Sequence, residues 1–244
     1  MSLVNRRRLP GSTLSNIHFL MLLILSLGMA VYLGYHPLVK ITSVPVTGEK
    51  LQGIDVSNHQ GIIDWEQIDQ AQVNFVFMKA TEGKTFTDKS FRLNWEGSAE
   101  AGFLRGAYHF YSTDTDGKAQ AEHFIRVVPL DDLSLPPVID IELVGTDKEK
   151  TLAGLKAFVK TVEAYYGKKP IFYINRDTYA AYYKDHFEEY PFWYADYNSP
   201  PPVEGWSFWQ FTNKGSFLGI DGNVDTNLYN GSTAELLGLA GIQQ

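Results

Sequence analysis

Short apolar segments alternate with segments of helical spacing along most of this chain, and this alternation restricts the fold more than any other feature. The strand candidates are GIDVS (53–57), FVFMKAT (75–81), LRGAYHFY (104–111), PPVIDIEL (136–143), PIFYIN (170–175), FWYADY (192–197) and SFWQFT (207–212). Strands separated by helices pair in parallel, and strands that are apolar on both faces belong to a sheet covered by helices. The sequence therefore predicts an α/β fold.

The number of strands and the end of the chain refine this prediction. The clearest helix spans Lys148 to Tyr166, where apolar residues recur at helical spacing before Gly167 provides a stop. Seven or eight strands favour a TIM-like (β/α) barrel over an open sheet. The segments SFWQFT and DGNVDTNLYN are joined by too few residues for a crossover helix. We therefore expect an irregular barrel with an antiparallel closing segment, preceded by an N-terminal membrane helix.

The membrane helix is predicted from the first fifty residues. Three arginines, Arg6 to Arg8, precede an apolar stretch long enough to span a bilayer. We interpret residues 1–15 as a basic cytoplasmic N-terminus, 16–39 as a transmembrane signal anchor and 40–52 as a linker. The folded domain, 53–244, would then lie outside the cytoplasm, in the periplasm or at the cell surface, as part of a single-pass protein of the cytoplasmic membrane. Cleavage after Ala30 is the alternative and gives a secreted protein.

Composition excludes several classes of function. The chain contains no cysteine, so it offers neither a disulfide framework nor a thiolate ligand or nucleophile. Its net charge is −7, and residues 1–50 carry five basic side chains and one acidic one, which leaves −11 on residues 51–244. A domain this acidic is a poor match for the phosphates of nucleic acids, so no nucleic-acid partner is expected.

Two acids, Asp140 and Glu142, interrupt the otherwise apolar segment PPVIDIEL. Alternate side chains of a strand share a face, which places these carboxylates about 6–7 Å apart along the chain. Burial raises carboxyl pKa values, so such a pair can supply a general acid near neutral pH, as glycoside hydrolysis requires. Asp55, Asp196 and Asp225 stand near the ends of other predicted strands, where barrel active sites form.

A metal site is the alternative use of these acids. Asp55, Asp140, Glu142 and Asp225 could form an oxygen cage for Mg²⁺ or Ca²⁺. No histidine is placed with them in the sequence pattern, so we expect neither a metal nor another cofactor.

Seven segments together resemble glycoside hydrolase family 25, the lysozymes related to the Chalaropsis enzyme and to phage endolysins. They are GIDVSNHQGIIDW (53–65), FVFMKATEG (75–83), GAYHF (106–110), PPVIDIE (136–142), FWYADY (192–197), WQF (209–211) and VDTN (224–227), in the order typical of the family. The resemblance covers nearly all of the chain after residue 52. It implies an irregular β/α barrel and an N-acetylmuramidase, which cleaves the β-1,4 bond between N-acetylmuramic acid and N-acetylglucosamine in peptidoglycan.

The resemblance also implies roles for the four acids. Glu142 corresponds to the proton donor, and Asp140, Asp55 and Asp225 correspond to the other catalytic acids. Asp140 is either a nucleophile or the group that orients the N-acetyl group of the substrate as the nucleophile. Both roles require a negative charge below the anomeric carbon, so the alternatives stay open.

Further side chains at strand ends are candidates for contact with sugar. Tyr108 and Asp196 are the preferred contacts, and the remaining candidates are Lys79, Tyr173, Trp209 and Gln210. His109 follows Tyr108 and points to the opposite face of a regular strand, so we interpret it as a hydrogen-bonded structural histidine.

The expected partners are peptidoglycan glycan strands and, through the N-terminal helix, the membrane, with the protein acting as a monomer. Two other functions remain as alternatives: a peptidoglycan-binding module without turnover, and a glycosidase acting on chitin-like polymers.

Overall fold

The computed structural model describes residues 51–242, which form a closed barrel. Nine strands are present in this part of the chain: β1 (Gln52–Val56), β2 (Phe75–Glu82), β3 (Phe86–Thr87), β4 (Leu104–Phe110), β5 (Val138–Ile141), β6 (Ile171–Ile174), β7 (Phe192–Ala195), β8 (Phe208–Gly215) and β9 (Val224–Tyr229). Eight of them form a ring in the order β1-β2-β4-β5-β6-β7-β8-β9, which closes because β9 pairs with β1. The short strand β3 pairs only with β2, as a hairpin outside the ring.

The direction of pairing changes where the ring closes. Every neighbouring pair from β1 through β2 and on to β8 is parallel, whereas β9 is antiparallel to both β8 and β1. The predicted irregular barrel with an antiparallel closing segment is therefore confirmed. The physical reason is the short β8–β9 connection, which allows a hairpin but no crossover helix.

Five α-helices accompany the strands in residues 51–242. They are α1 (Phe91–Glu100), α2 (Gly117–Val127), α3 (Lys148–Tyr166), α4 (Arg176–Thr178) and α5 (Thr233–Leu239), and a π-helical turn, Tyr179–Tyr183, continues α4. Helix α3 has the predicted bounds. The Asp147 side chain caps its first turn, and Gly167 ends it with a φ of 66°, a conformation that glycine adopts without steric cost.

Two apolar layers lie on the two faces of the barrel wall. Outward-facing residues such as Ile54 and Ile139 pack against the helices. Large aromatic residues fill the interior, including Phe75, Phe77 and Trp193, and Leu236 and Leu237 of α5 join this inner layer. Helix α5 therefore closes the barrel at the end where the parallel strands begin, and the polar site lies at the other end.

The predicted single-pass membrane location is corrected. No helix within residues 51–242 is long and apolar enough to cross a bilayer. The longest, α3, has 19 residues and carries charged side chains on its solvent face, including Lys156 and Lys160. The predicted membrane helix, 16–39, lies outside the described residues, as do the predicted N-terminus, 1–15, and most of the predicted linker.

Candidate active site

A small pocket opens at the carboxyl ends of the parallel strands. Its volume is about 110 Å³, and it is lined by Asp55, Tyr108, Asp140, Glu142, Tyr173, Trp193, Tyr197, Gln210 and Asp225. Seven of the ten side chains expected at the site are among these, including all four acids. The last side chains of parallel strands lie at the same rim of a barrel, so residues far apart in sequence meet there.

Asp55 is the most firmly held carboxylate of the pocket. It lies on β1 and is 7 % exposed. Its Oδ2 accepts hydrogen bonds from Gln210 Nε2 at 2.9 Å and from Asn227 Nδ2 at 2.8 Å. The Trp193 indole N–H donates to Asn227 Oδ1 at 2.9 Å, which fixes the orientation of that amide. Three neighbouring strands thereby hold Asp55 in one position.

Asp55 also faces a second carboxylate. Its Cα partner on the antiparallel strand β9 is Asp225, so the two side chains share one face of the sheet. Burial and the charge of Asp225 raise the pKa of Asp55 to about 7, although the amides of Asn227 and Gln210 oppose the rise. Burial also raises the pKa of Asp225, and the Tyr197 hydroxyl, 3.5 Å from its Oδ1, opposes this. The pair therefore retains protons at pH values where exposed aspartates are fully ionised.

Asp140 lies on the interior face of β5 and is 6 % exposed. Its Oδ1 is buried and has no hydrogen-bond partner within the described part of the chain. Burial, together with the charges of Glu142 and Asp55, raises the pKa of Asp140 well above that of a free aspartate. A buried carboxylate oxygen without a donor is costly, so this position favours a ligand that brings an N–H or O–H group.

Glu142 follows the last residue of β5 and is exposed at the mouth of the pocket. The strand period of two places it on the side of Asp140, as predicted. Partial burial of its carboxyl group raises the pKa of Glu142; the positive charge of Lys79 opposes this rise, and the charge of Asp225 adds to it. An accessible carboxyl group with a raised pKa is suited to act as a general acid.

One amide joins two tyrosines to Asp55. Gln210 Oε1 accepts hydrogen bonds from the hydroxyls of Tyr173 and Tyr197, both at 2.9 Å, while its Nε2 donates to Asp55. Gln210 and Tyr173 are buried, whereas Tyr197 stands at the mouth with 48 % of its surface exposed. This network forms a polar wall of the pocket that extends from β6 to β8.

The sequence analysis missed three residues of the pocket and its hydrogen-bond network: Trp193, Tyr197 and Asn227. Asn227 stands two positions after Asp225, and the strand period of two was a signal that both face the pocket. The sequence around Trp193 is typical of an ordinary core residue. Tyr197 lies in a loop after β7, where no periodicity indicates the direction of its side chain.

Three predicted residues do not line the pocket. Lys79 Nζ forms an ion pair with Glu82 at 2.7 Å and lies 4.9 Å from the centre of the Phe110 ring. Its positive charge opposes the rise in the pKa values of Asp140 and Glu142. Asp196 accepts hydrogen bonds from the backbone N–H groups of the turn that follows it. The third is Trp209.

Trp209 points away from its neighbour Gln210 on β8 and lies beside Trp206 on the outside of the barrel. Its indole N–H donates to the backbone carbonyl of Asp196 at 2.8 Å. The structure thus joins Asp196 and Trp209 to each other and to the β7–β8 connection. Their proposed contact with sugar remains a prediction.

His109 is fully buried behind the wall of the pocket. Its Nδ1 lies 2.7 Å from the Thr81 hydroxyl and its Nε2 lies 3.1 Å from Gln120 Oε1. Burial lowers the pKa of His109 to about 3, so the ring is neutral at physiological pH. These contacts match the interpretation of His109 as a structural histidine.

No cluster of three or more His, Asp or Glu side chains within residues 51–242 is arranged to hold a metal ion. The four acids converge on one pocket, where carboxyl groups can transfer protons and stabilise charge.

Comparison with known proteins identifies relatives of this chain. Residues 54–220 match the family model described as glycosyl hydrolases family 25. An uncharacterised protein, YegX, from Escherichia coli K12 is 36 % identical over 214 residues, which are 84 % of this chain and 79 % of YegX. Lysozyme M1 of Streptomyces globisporus is 33 % identical over 215 residues, which are 80 % of this chain and 73 % of that lysozyme.

Solved structures agree with the sequence matches. A family 25 glycosyl hydrolase from Bacillus anthracis superimposes with a TM-score of 0.73 at 33 % identity, covering 80 % of this chain and 99 % of that one. A bacterial lysozyme from Streptomyces coelicolor superimposes with a TM-score of 0.70 at 31 % identity, covering 80 % and 98 % of the two chains.

Proposed function

The chain belongs to glycosyl hydrolase family 25, and on this premise we propose that it is a lysozyme that cleaves the β-1,4 bond between N-acetylmuramic acid and N-acetylglucosamine in peptidoglycan. Its relatives include proteins named lysozyme and N,O-diacetylmuramidase. The observation that carries the proposal is the convergence of Asp55, Asp140, Glu142 and Asp225 in one pocket. Paired carboxylates beside a scissile bond are what glycoside hydrolysis requires.

Glu142 is the proposed proton donor. It is the acid at the mouth of the pocket, where a leaving sugar would depart, and burial raises its pKa in the direction that favours the protonated form. Protonation of the glycosidic oxygen by Glu142 lets the bond break as positive charge develops at the anomeric carbon. The buried acids beneath can stabilise that charge.

Asp140 is proposed to orient the N-acetyl group of the substrate. Its unpartnered Oδ1 requires a donor, and the acetamido N–H of the sugar supplies one. The hydrogen bond would direct the acetamido oxygen toward the anomeric carbon, where it acts as the nucleophile and forms a cyclic intermediate that water opens. In the alternative, Asp140 attacks the anomeric carbon itself.

The two roles of Asp140 lead to different trapped species. If Asp140 only orients the substrate, a 2-fluoro muropeptide analogue, which lacks the acetamido nucleophile, should leave no sugar covalently bound to Asp140. Mass spectra of the treated protein measure this. A glycosylated peptide containing Asp140 would establish the nucleophile instead.

Asp55 and Asp225 are proposed to complete the catalytic set, with Tyr108, Tyr173 and Gln210 as sugar contacts on the pocket wall. Lys79, Asp196 and Trp209 are proposed as more distant contacts of a longer glycan. We propose residues 53–244 as the catalytic domain. We also propose that the protein acts as a monomer; the convergence of all four acids of one chain in one pocket supports this.

Hydrolysis of purified peptidoglycan by the full chain tests the proposed function. We expect products with reducing N-acetylmuramic acid ends in mass spectra. Glu142→Gln should remove this activity, while the control Glu96→Gln, at an exposed position on α1, should leave it intact.

Other outcomes would identify the alternatives. Reducing N-acetylglucosamine ends, or faster cleavage of chitin oligomers than of muropeptides, would contradict the proposed bond specificity. Equal binding of peptidoglycan by wild type and Glu142→Gln, without products from either, would indicate a binding module.

A further inference from the structure

The main chain that carries Glu142 receives little support from the barrel itself. Strand β5 ends at Ile141, so Glu142 lies beyond the ladder of strand hydrogen bonds. The next two side chains, Leu143 and Val144, are 65 % and 50 % exposed. Apolar packing therefore does not hold this loop, although an acid that transfers a proton requires a defined position.

Three polar contacts from one neighbouring segment supply the missing support. Asn175 Nδ2 donates to the backbone carbonyl of Glu142 at 2.8 Å. The Thr178 hydroxyl donates to the backbone carbonyl of Ile141 at 2.8 Å. The backbone N–H of Gly145 donates to the Tyr182 hydroxyl at 2.7 Å.

Hydrogen bonds and burial also hold the segment that makes these contacts. Asn175 and Thr178 form a capping box at the start of α4, in which the Asn175 side-chain oxygen accepts from backbone N–H groups and Thr178 Oγ1 accepts from the Asn175 N–H. Thr178 and Tyr182 are fully buried. A π-helical turn spans Tyr179–Tyr183, and such turns are rare and often lie at functional sites.

From this geometry we propose that Asn175, Thr178 and Tyr182 form a clamp that positions the backbone of Glu142 for proton transfer. The inference rests on the proposed function of Glu142 as the proton donor. The three members touch no reacting atom and act only through residues 141–145. They are positioning residues, because small displacements of a catalytic group cost large factors in rate.

Two variants test the clamp with limited damage to folding. Asn175→Ser keeps a side-chain oxygen that can cap α4 but removes the amide that donates to Glu142. Tyr182→Phe keeps the buried ring and removes the hydroxyl that accepts from Gly145. The control is Ser232→Ala, which removes the comparable cap of α5 at the opposite end of the barrel.

We expect kcat to fall about 10- to 100-fold in Asn175→Ser and Tyr182→Phe. KM should change less than about twofold, since substrate binding in the ground state is retained. Ser232→Ala should lower thermal stability but retain the wild-type kcat. Wild-type kcat in both clamp variants, at a temperature where they are folded, would overturn the proposal.

Amide hydrogen exchange supplies a readout that does not depend on activity. The Gly145 amide should exchange at least about tenfold faster in Tyr182→Phe than in wild type, because its acceptor is gone. Unchanged exchange of the 141–147 peptide in both variants would overturn the clamp. Wild-type protein that releases no reducing ends would instead contradict the proposed function, so the two failures are distinguishable.

Discussion

Asp55 and Asp225 lie directly opposite each other on β1 and β9, so the antiparallel closure of the barrel brings two carboxylates together. A fully parallel barrel would place a crossover helix between such strands. The hairpin that closes the ring therefore contributes an acid of the pocket as well as the last strand. The charge of Asp225 raises the pKa of Asp55, which links the closure of the fold to the protonation of the site.

Asp55 should make the protein less stable as the pH rises. Its pKa is 3.8 when free and about 7 in the folded state, so its contribution to stability is fully present below pH 3.8 and is lost as the pH rises through 7. Asp55→Asn should therefore gain stability relative to wild type between pH 4 and pH 8, by at most about 4 kcal/mol. Thermal unfolding of both proteins at each pH measures this, and a difference in Tm that stays constant with pH would contradict it.

His109 should have the opposite effect. Its pKa falls from 6.5 to about 3 on folding, so its contribution to stability is present above pH 6.5 and is lost as the pH falls toward 3. Between pH 7 and pH 4, the free energy of unfolding should fall by up to about 3 kcal/mol more in wild type than in His109→Gln. Urea unfolding at both pH values measures this.

The role of His109 can be separated from catalysis in the same variant. At pH 7 and a temperature where it is folded, His109→Gln should keep kcat within about twofold of wild type, since no atom of the ring reaches the pocket. A loss of kcat with folding intact would contradict the structural role.

The charges around Glu142 should set the upper pH limit of activity. A general acid must be protonated, so the basic limb of kcat/KM follows the pKa of Glu142 in the free enzyme. Lys79→Met removes a charge that lowers this pKa and should move the limb to higher pH. Asp225→Asn removes a charge that raises it and should move the limb to lower pH. Profiles that shift in the same direction in both variants would contradict Glu142 as the acid.

Gln210 should contribute strongly to the stability of the pocket wall, although its side chain carries no charge. It makes three hydrogen bonds to Tyr173, Tyr197 and Asp55 while only 2 % exposed. Gln210→Met has similar volume but leaves these groups unpaired, at about 1–3 kcal/mol for each that stays dry. We expect a loss of about 3 kcal/mol in the free energy of unfolding, measured by urea titration. Phe211→Leu, on the opposite face of β8, is the control and should lose less.

Strand periodicity predicted the barrel and placed acids at strand ends, and the resemblance to family 25 selected the four acids among them. Asp140 and Glu142 stand out as charges in an apolar run, and a period of two determines which face they share. Periodicity carries no information about loops, so it did not find Tyr197 or show that Asp196 and Trp209 bond to each other. The partners of Glu142 were also missed, because Asn175, Thr178 and Tyr182 meet its backbone only after the strands are arranged side by side.

The packing of α5 into the lower end of the barrel closes the described domain, residues 51–242, at that end. Leu236 and Leu237 fill the base together with the aromatic interior. Within residues 51–242, the carboxyl groups therefore meet water at the open rim. In the proposed reaction the glycan binds at that rim, so the water that opens the cyclic intermediate must enter from the same side. Glu142 takes up a proton from this water and is restored as an acid before the product leaves.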